Sequence, residues 1–325
     1  FARTDSKFNA VANISNTIDK DVTSFDFVAY KDSVELYRKT VSLSEVMNGD
    51  ENPKPVNVLK NGESANVFFE GIQFTEEGTF NVTYVIENIE GTNKDDNESD
   101  SKQVVKTYVS DEFEDRVVMM EMFSGTMCSN CPTGHKHLHN AVHNLGEEKY
   151  VWAIHHAGYN ASEFTLDESY DAVQFYGFES ASAQSYAPGV MLDRINLLSV
   201  GAVSNTGLNG PVFSVNEAGS RKVLENYMNI VQKNMSPIAL DVDFTLDEET
   251  RELIVPVNGE MLGDFEANSL RIGVVTIEDG ILGTQAGNAG KYNHTHIIRS
   301  FLTSAYGTVT TVSNGTFSKD FSQIL

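Results

Sequence analysis

Cysteine is nearly absent from this chain, with two residues in 325. Their spacing, Cys128-Ser129-Asn130-Cys131, reads as catalytic or metal-binding before it reads as a structural staple. Basic side chains are also scarce: 23 Lys and Arg stand against 46 Asp and Glu, a formal charge of -23. Such a surface repels phosphate backbones, which argues against nucleic-acid binding, and it offers no basic patch to an anionic membrane. No run approaches the roughly 18–20 apolar residues of a spanning helix, so no transmembrane segment is expected. Residues 1–10 lack the apolar centre of a signal peptide. Gly-x-Ser-x-Gly, Walker, dinucleotide and His-Glu-x-x-His motifs are all missing, which leaves hydrolase, kinase and zinc-protease readings without support.

What remains is an ordinary folded composition, 40% apolar and 10% aromatic, enough for packed cores. The length predicts two or three domains. From about residue 8 to 110 the apolar period is two, as in Ser24-Phe25-Asp26-Phe27-Val28-Ala29-Tyr30, with turn signals at Lys31-Asp32, Asn48-Gly49-Asp50 and Asn61-Gly62-Glu63. Short strands so punctuated predict a β-sandwich over 1–114. Its acidic run 93–100 reads as a solvated loop, since it lacks the spacing of an EF-hand. Beyond a linker at 111–115, Arg116–Phe123 and Tyr150–Ile154 read as buried strands, while Pro132–Leu145, 166–178 and 217–234 carry helical periodicity. That alternation predicts a compact α/β domain over 115–236. From Pro237 the period returns to two, giving a second β domain over 237–325. The expected class is α+β multidomain: a thioredoxin-like α/β domain between two Ig-like β-sandwich domains.

A Cys-x-x-Cys between strand and helix is the thioredoxin-type arrangement, in which the helix N-terminus sets partial positive charge against a thiolate. Cys128 is expected to attack a substrate disulfide and Cys131 to resolve the mixed disulfide. Pro188, in Ala187-Pro188-Gly189, stands where that fold carries a cis-proline that exposes backbone to a substrate strand. Pro132 disfavours helical backbone at Cys131, so the helix is expected to start at Pro132. Met122 occupies the place where thioredoxins keep a buried carboxylate, and Glu121 is expected on the opposite strand face. Met127 stands where a tryptophan usually precedes the first cysteine. His135, one turn into the helix, is the candidate for tuning the thiols. A zinc or copper set drawn from Cys128, Cys131, His135, His155 and His156 is an alternative, although its spacing is not that of a zinc finger. No other cofactor is expected. His294 and His296 are expected on one strand face, where two histidines could bind a metal but read first as a hydrogen-bonded structural pair.

The stretch Met119-Met120-Glu121-Met122-Phe123-Ser124-Gly125-Thr126-Met127-Cys128-Ser129-Asn130-Cys131-Pro132-Thr133-Gly134-His135 resembles the twenty-eight-kilodalton outer membrane protein family of Bacteroidetes. That family's motif runs Glu-Phe-Thr-Gly, two residues, then Cys-x-Asn-Cys-Pro-x-Gly-His. Ala153–Gly158, Tyr186–Arg194 and Tyr292–Arg299 are similar to its later segments. The N-terminal part resembles a cell-adhesion-related bacterial Ig-like domain. The resemblance implies export to the periplasm, outer membrane or cell surface, with a lipid anchor upstream as one route, and no transmembrane barrel. The family often carries Glu where this chain has Met122, which weighs against redox turnover.

Two functional readings follow. The first is a thiol-disulfide oxidoreductase acting on extracytoplasmic proteins or peptides, with Pro188 binding substrate backbone and His135 or His155 adjusting the thiols. The second is a non-enzymatic cell-surface binding or adhesion protein whose cysteines only cross-link their loop.

Overall fold

The computed structural model describes residues 1–48, 54–92, 101–157, 162–177, 187–200 and 210–325. The acidic run 93–100 lies outside the described residues, as do Gly49-Asp50, Gly158 and Tyr186. The chain divides into two compact units. One is Phe1–Glu112 with two short later segments; the other is Phe113–Leu197 and most of the chain from 206 onward.

The first unit contains β1 (Phe8–Ser15), β2 (Ser24–Lys31), β3 (Val34–Ser42), β4 (Ser64–Ile72), β5 (Gly78–Glu87) and β6 (Lys102–Val109). They form an antiparallel sheet in the order β3-β2-β5-β6 and a separate β1–β4 pair. Alternation sets the faces: Phe25 and Phe27 of β2 join Val67 and Phe69 of β4 in one core with Leu43 and Ile72. Each buried Phe there contributes roughly 1.5–3 kcal/mol relative to exposure. Asp32 and Ser33, at φ 48° and 69°, make the β2–β3 hairpin turn that the Lys31-Asp32 signal marks.

The second unit begins with β7 (Glu114–Asp115), β8 (Val118–Ser124), α1 (Cys131–Leu145), β9 (Tyr150–His156), α2 (Asp167–Gly177), β10 (Gly189–Leu192) and β11 (Phe213–Ser214). It continues through α3 (Val215–Ser220), α4 (Leu224–Gln232), β12 (Met235–Ser236), β13 (Ile238–Val242), β14 (Thr245–Leu246), β15 (Glu252–Met261) and β16 (Ser269–Ile272). The last strands are β17 (Val275–Glu278), β18 (Ile281–Gly283), β19 (Tyr292–His294), β20 (Ile297–Phe301), β21 (Thr308–Thr311) and β22 (Thr316–Ile324). Its largest sheet runs β11-β10-β8-β9-β20-β17. β8 and β9 are parallel, with Met122 beside Ile154 and Ser124 beside His156, and β9 meets β20 in parallel at Ile154 and Ile297. β10 and β17 run antiparallel to their neighbours β8 and β20. The pattern at 217–234 is realised as two helices, α3 and α4, separated by Lys222 at φ 60°.

The expected class is not what forms. Strand accounts for 46% of the residues and helix for 17%, so this is a mostly β protein of many small sheets, and no compact thioredoxin-like α/β core stands between two sandwiches. Strand pairing supplies the physical reason. β17 and β20 come from the segment expected to build a separate sandwich, yet they complete the six-stranded sheet. Residues 115–236 therefore do not close on themselves, and no boundary between units falls at 236/237. The other C-terminal strands form a β13-β15-β14 sheet with β22 on β15 and a β16–β21 pair, around Val255, Val257, Phe317 and Phe321, and a separate β18–β19 pair. Among the described residues no helix is long and apolar enough to cross a membrane.

Candidate functional site

β8 delivers the chain into the loop 125–130, and α1 begins at Cys131, one residue earlier than Pro132 predicts. Pro132 fits the first turn because its missing N–H would have found no intrahelical acceptor there. Cys128 and Cys131 are joined by a disulfide. Cys128 is 3% exposed and Cys131 fully buried, whereas Met127 beside them is 59% exposed. The Cys131 N–H donates to Cys128 O (3.3 Å) and the Cys128 N–H to Gly125 O (3.0 Å), which closes the loop on itself.

Pro188 lies against the first turn of this helix, and the Ala187–Pro188 peptide is cis. A Cβ on Gly134 would come within 2.7 Å of Pro188 Cβ and 3.3 Å of Asn216 Oδ1, so only glycine permits the approach. Asn216 Nδ2 in turn donates to Asn130 O (3.2 Å).

A segment that sequence reasoning missed covers the loop. Gln285, buried, donates from Nε2 to Cys128 O (2.8 Å) and Gly125 O (3.1 Å). The Ala286 N–H donates to Thr126 O (2.7 Å). Gly287, at φ 80°, sits so close that a Cβ would overlap Ser129 O. The run Thr284-Gln285-Ala286-Gly287-Asn288-Ala289-Gly290 carries a signal in its small residues, which suit close backbone approach.

Two buried polar groups flank β8. On the α2 side lies Glu121, 2% exposed. Arg194 holds both its oxygens, with Nε 2.6 Å from Oε2 and Nη2 2.7 Å from Oε1. His155 Nε2 is 3.2 Å from Glu121 Oε1, and its Nδ1 is 3.0 Å from Ser169 Oγ of α2. Burial pushes the Glu121 carboxyl up, but Arg194 and His155 outweigh it and hold it at about 2. This strand thus carries a buried carboxylate after all, one residue from Met122 and on the opposite face.

On the α1 side His135 lies between Tyr292 and Ser124, its Nδ1 2.9 Å from the Tyr292 hydroxyl and its Nε2 3.4 Å from Ser124 Oγ. Burial, aided by His294 and His296, lowers it to about 4, so it is neutral at physiological pH. His156 is lowered by burial to about 3 and faces His294, ring centroids 5.6 Å apart. His156 Nε2 and His294 Nδ1 have no hydrogen-bond partner among the described residues.

The metal set drawn from the sequence does not converge. Cys128 and Cys131 are tied to each other, and His155 faces Glu121 while His156 faces His294 across the strand. Among the described residues no group of three or more His, Cys, Asp or Glu could hold a metal ion. His294 and His296 do not share a strand face either. His296, at φ 57°, turns the chain between β19 and β20 and its ring lies 4.7 Å from that of Trp152 at a tilt of 48°, with its backbone N–H donating to Asp279 Oδ1 (2.6 Å).

No protein-family model matches the chain, and no curated protein does. Among solved structures it is similar to HBP35 of Porphyromonas gingivalis at 15% identity and a TM-score of 0.50, over 66% of this chain and 65% of that one. The match therefore spans less than two thirds of that protein's length. It shows a shared fold with a protein of the Bacteroidetes, the group whose outer membrane family the cysteine motif resembles. A protein of Agrobacterium tumefaciens reaches 12% identity and a TM-score of 0.38 over 65% of this chain and 79% of that one. A domain of a Methanosarcina acetivorans protein described as a cell surface protein reaches 20% and 0.23 over 31% and 75%. Scores this low establish no common fold.

Proposed function

We propose that this is an extracytoplasmic protein that exchanges thiols and disulfides with exported polypeptides through Cys128 and Cys131. The supporting observation is the placement of the disulfide at the entry to α1, on the turn against which Pro188 packs. A substrate thiolate attacks Cys128 Sγ; the bond to Cys131 breaks, and Cys131 leaves as a thiolate that takes up a proton. A second substrate thiolate then attacks the substrate sulfur of the mixed disulfide and releases Cys128. The substrate dithiol loses two electrons and becomes a disulfide, while the protein's disulfide becomes a dithiol; the reduced form runs the same steps backwards. The N-terminus of α1 favours the Cys128 thiolate, and the backbone at Pro188 receives the substrate strand. His135, neutral, acts as a positioning residue that fixes Tyr292 and Ser124 beside the helix. Export rests on the resemblance of the cysteine motif and is in keeping with the Bacteroidetes neighbour.

One observation favours a second reading, a non-enzymatic surface protein with a structural disulfide. Both cysteines are buried, and Gln285 and Gly287 lie over their loop. Equilibration with glutathione buffers followed by alkylation and mass measurement gives the potential of the pair, and insulin reduction gives turnover. Turnover that disappears in Cys128→Ser supports exchange. A potential below about -300 mV without turnover assigns the pair to a staple.

A further inference from the structure

One strand of the second unit is left open in two directions. β13 pairs with β15 on one side and with no described strand on the other. The Asp243 N–H donates to Pro256 O and the Leu262 N–H to Pro237 O. Main-chain groups of the odd-numbered residues from 237 to 243 therefore turn to β15, and those of Leu240 and Val242 turn to the free edge.

The side chains of Leu240 and Val242 lie opposite Gly259 and Val257, on the core side of the sheet. Even so they are 64% and 58% exposed, and Phe244 and Leu246 continue the strip at 69% and 40%. The facing β16–β21 layer has only two strands, and its core gathers on Val255, Val257, Phe317 and Phe321. A groove of about 680 Å³ opens at this end, lined by Leu240, Gly259, Phe317 and Thr311 among others. Around the strip acid predominates: Asp241, Asp243, Asp247, Glu248, Glu252 and Glu260 are all exposed, against one exposed base, Arg251, in the turn after β14.

We propose that this edge receives an extended segment of another polypeptide, alternating apolar and basic residues, as an added strand. Its main chain bonds to Leu240 and Val242, its apolar side chains enter the groove, and its Lys or Arg side chains lie across from Asp241 and Asp243. A lone charged edge would be ordinary protection against aggregation, but protection does not call for an exposed apolar strip on the core side. A second copy of this chain fits poorly, because two such edges would set Asp against Asp. The proposal is independent of any chemistry at Cys128.

Fluorescence anisotropy of the full chain with a labelled peptide alternating valine and lysine tests it. Saturable binding is expected, weakened about tenfold or more when the same residues are sorted into a valine block and a lysine block. Methylating every other main-chain nitrogen, in the phase that faces the edge, is expected to abolish it. The chain carrying Asp241→Lys and Asp243→Lys, both exposed positions, is expected to prefer a valine–glutamate peptide instead. Equal binding of the block and alternating peptides, absence of saturation, or a dimer lost on Leu240→Glu in sedimentation would overturn the proposal.

Discussion

Arg194 reaches Glu121 because the chain leaves β10 through two left-handed residues, Asp193 at φ 49° and Arg194 at φ 57°. The turn brings the guanidinium back against β8, where it takes both carboxylate oxygens and also donates from Nη1 to Ala305 O (2.7 Å). Removing the guanidinium strands a buried carboxylate. Arg194→Met is expected to cost on the order of 3–5 kcal/mol in urea unfolding, and adding Glu121→Gln is expected to return part of that loss. An undiminished loss in the double variant would show that packing, not the uncompensated charge, sets the cost. The carboxyl of Glu121 is depressed on folding, so its stabilisation is complete above its unfolded value of about 4.3 and fades as pH falls toward about 2.

His135 and His156 act at higher pH. Both are held neutral by burial, at about 4 and about 3, below an unfolded value of about 6.5. Between those values the unfolded chain binds more protons than the folded one, so stability is full above pH 6.5 and falls as acid is added. Thermal midpoints are expected to decline from about pH 6.5 to pH 4, and His156→Gln is expected to flatten that decline whatever it does to the absolute midpoint. An unchanged slope would mean that His156 is not a source of it.

The local structure around the cysteines was legible because it depends on neighbours in sequence. The Cys-x-x-Cys loop, the helix after it, the buried strands at 118–124 and 150–156 and the left-handed turn at Asp32 all follow from period, proline and turn residues. The class of fold was not legible. Alternation at 237–301 fits a strand wherever it pairs, and nothing local says that β17 and β20 join β9's sheet. Glu121 shows the same limit from the other side. Strand parity placed it away from Met122, correctly, but the partner that makes its burial tolerable is Arg194, 73 residues on. Gln285 is further still from the loop it holds, 157 residues from Cys128.

Gly134 is a helix residue where alanine would be worse. On propensity alone, Gly134→Ala would gain about 1 kcal/mol. The added methyl would meet Pro188 Cβ and Cγ at 2.7 and 2.8 Å, both on a ring with little freedom to move. A net loss of about 1–3 kcal/mol is expected from that overpacking. A double-mutant cycle with Pro188→Gly is expected to show strong coupling, since the second change removes the atoms in the way; additive losses would place the strain elsewhere.

Gln285 offers the sharpest handle on the disulfide, because its side chain ties down the carbonyl of Cys128 without touching the chemistry of either sulfur. Gln285→Ala removes the donor to the carbonyls of Cys128 and Gly125, and a longer contact to that of Ala286, a change expected to cost about 1–3 kcal/mol locally. The loop should then open more often than the protein unfolds. Under native conditions a small dithiol is expected to reduce the Cys128–Cys131 bond about tenfold faster in this variant, with the global unfolding midpoint shifted only slightly. Gly287→Ala, which drives a methyl into the Ser129 carbonyl at a positive-φ position, is expected to act in the same direction. Equal reduction rates in wild type and both variants would mean that the segment at 285–287 does not govern access to the sulfurs.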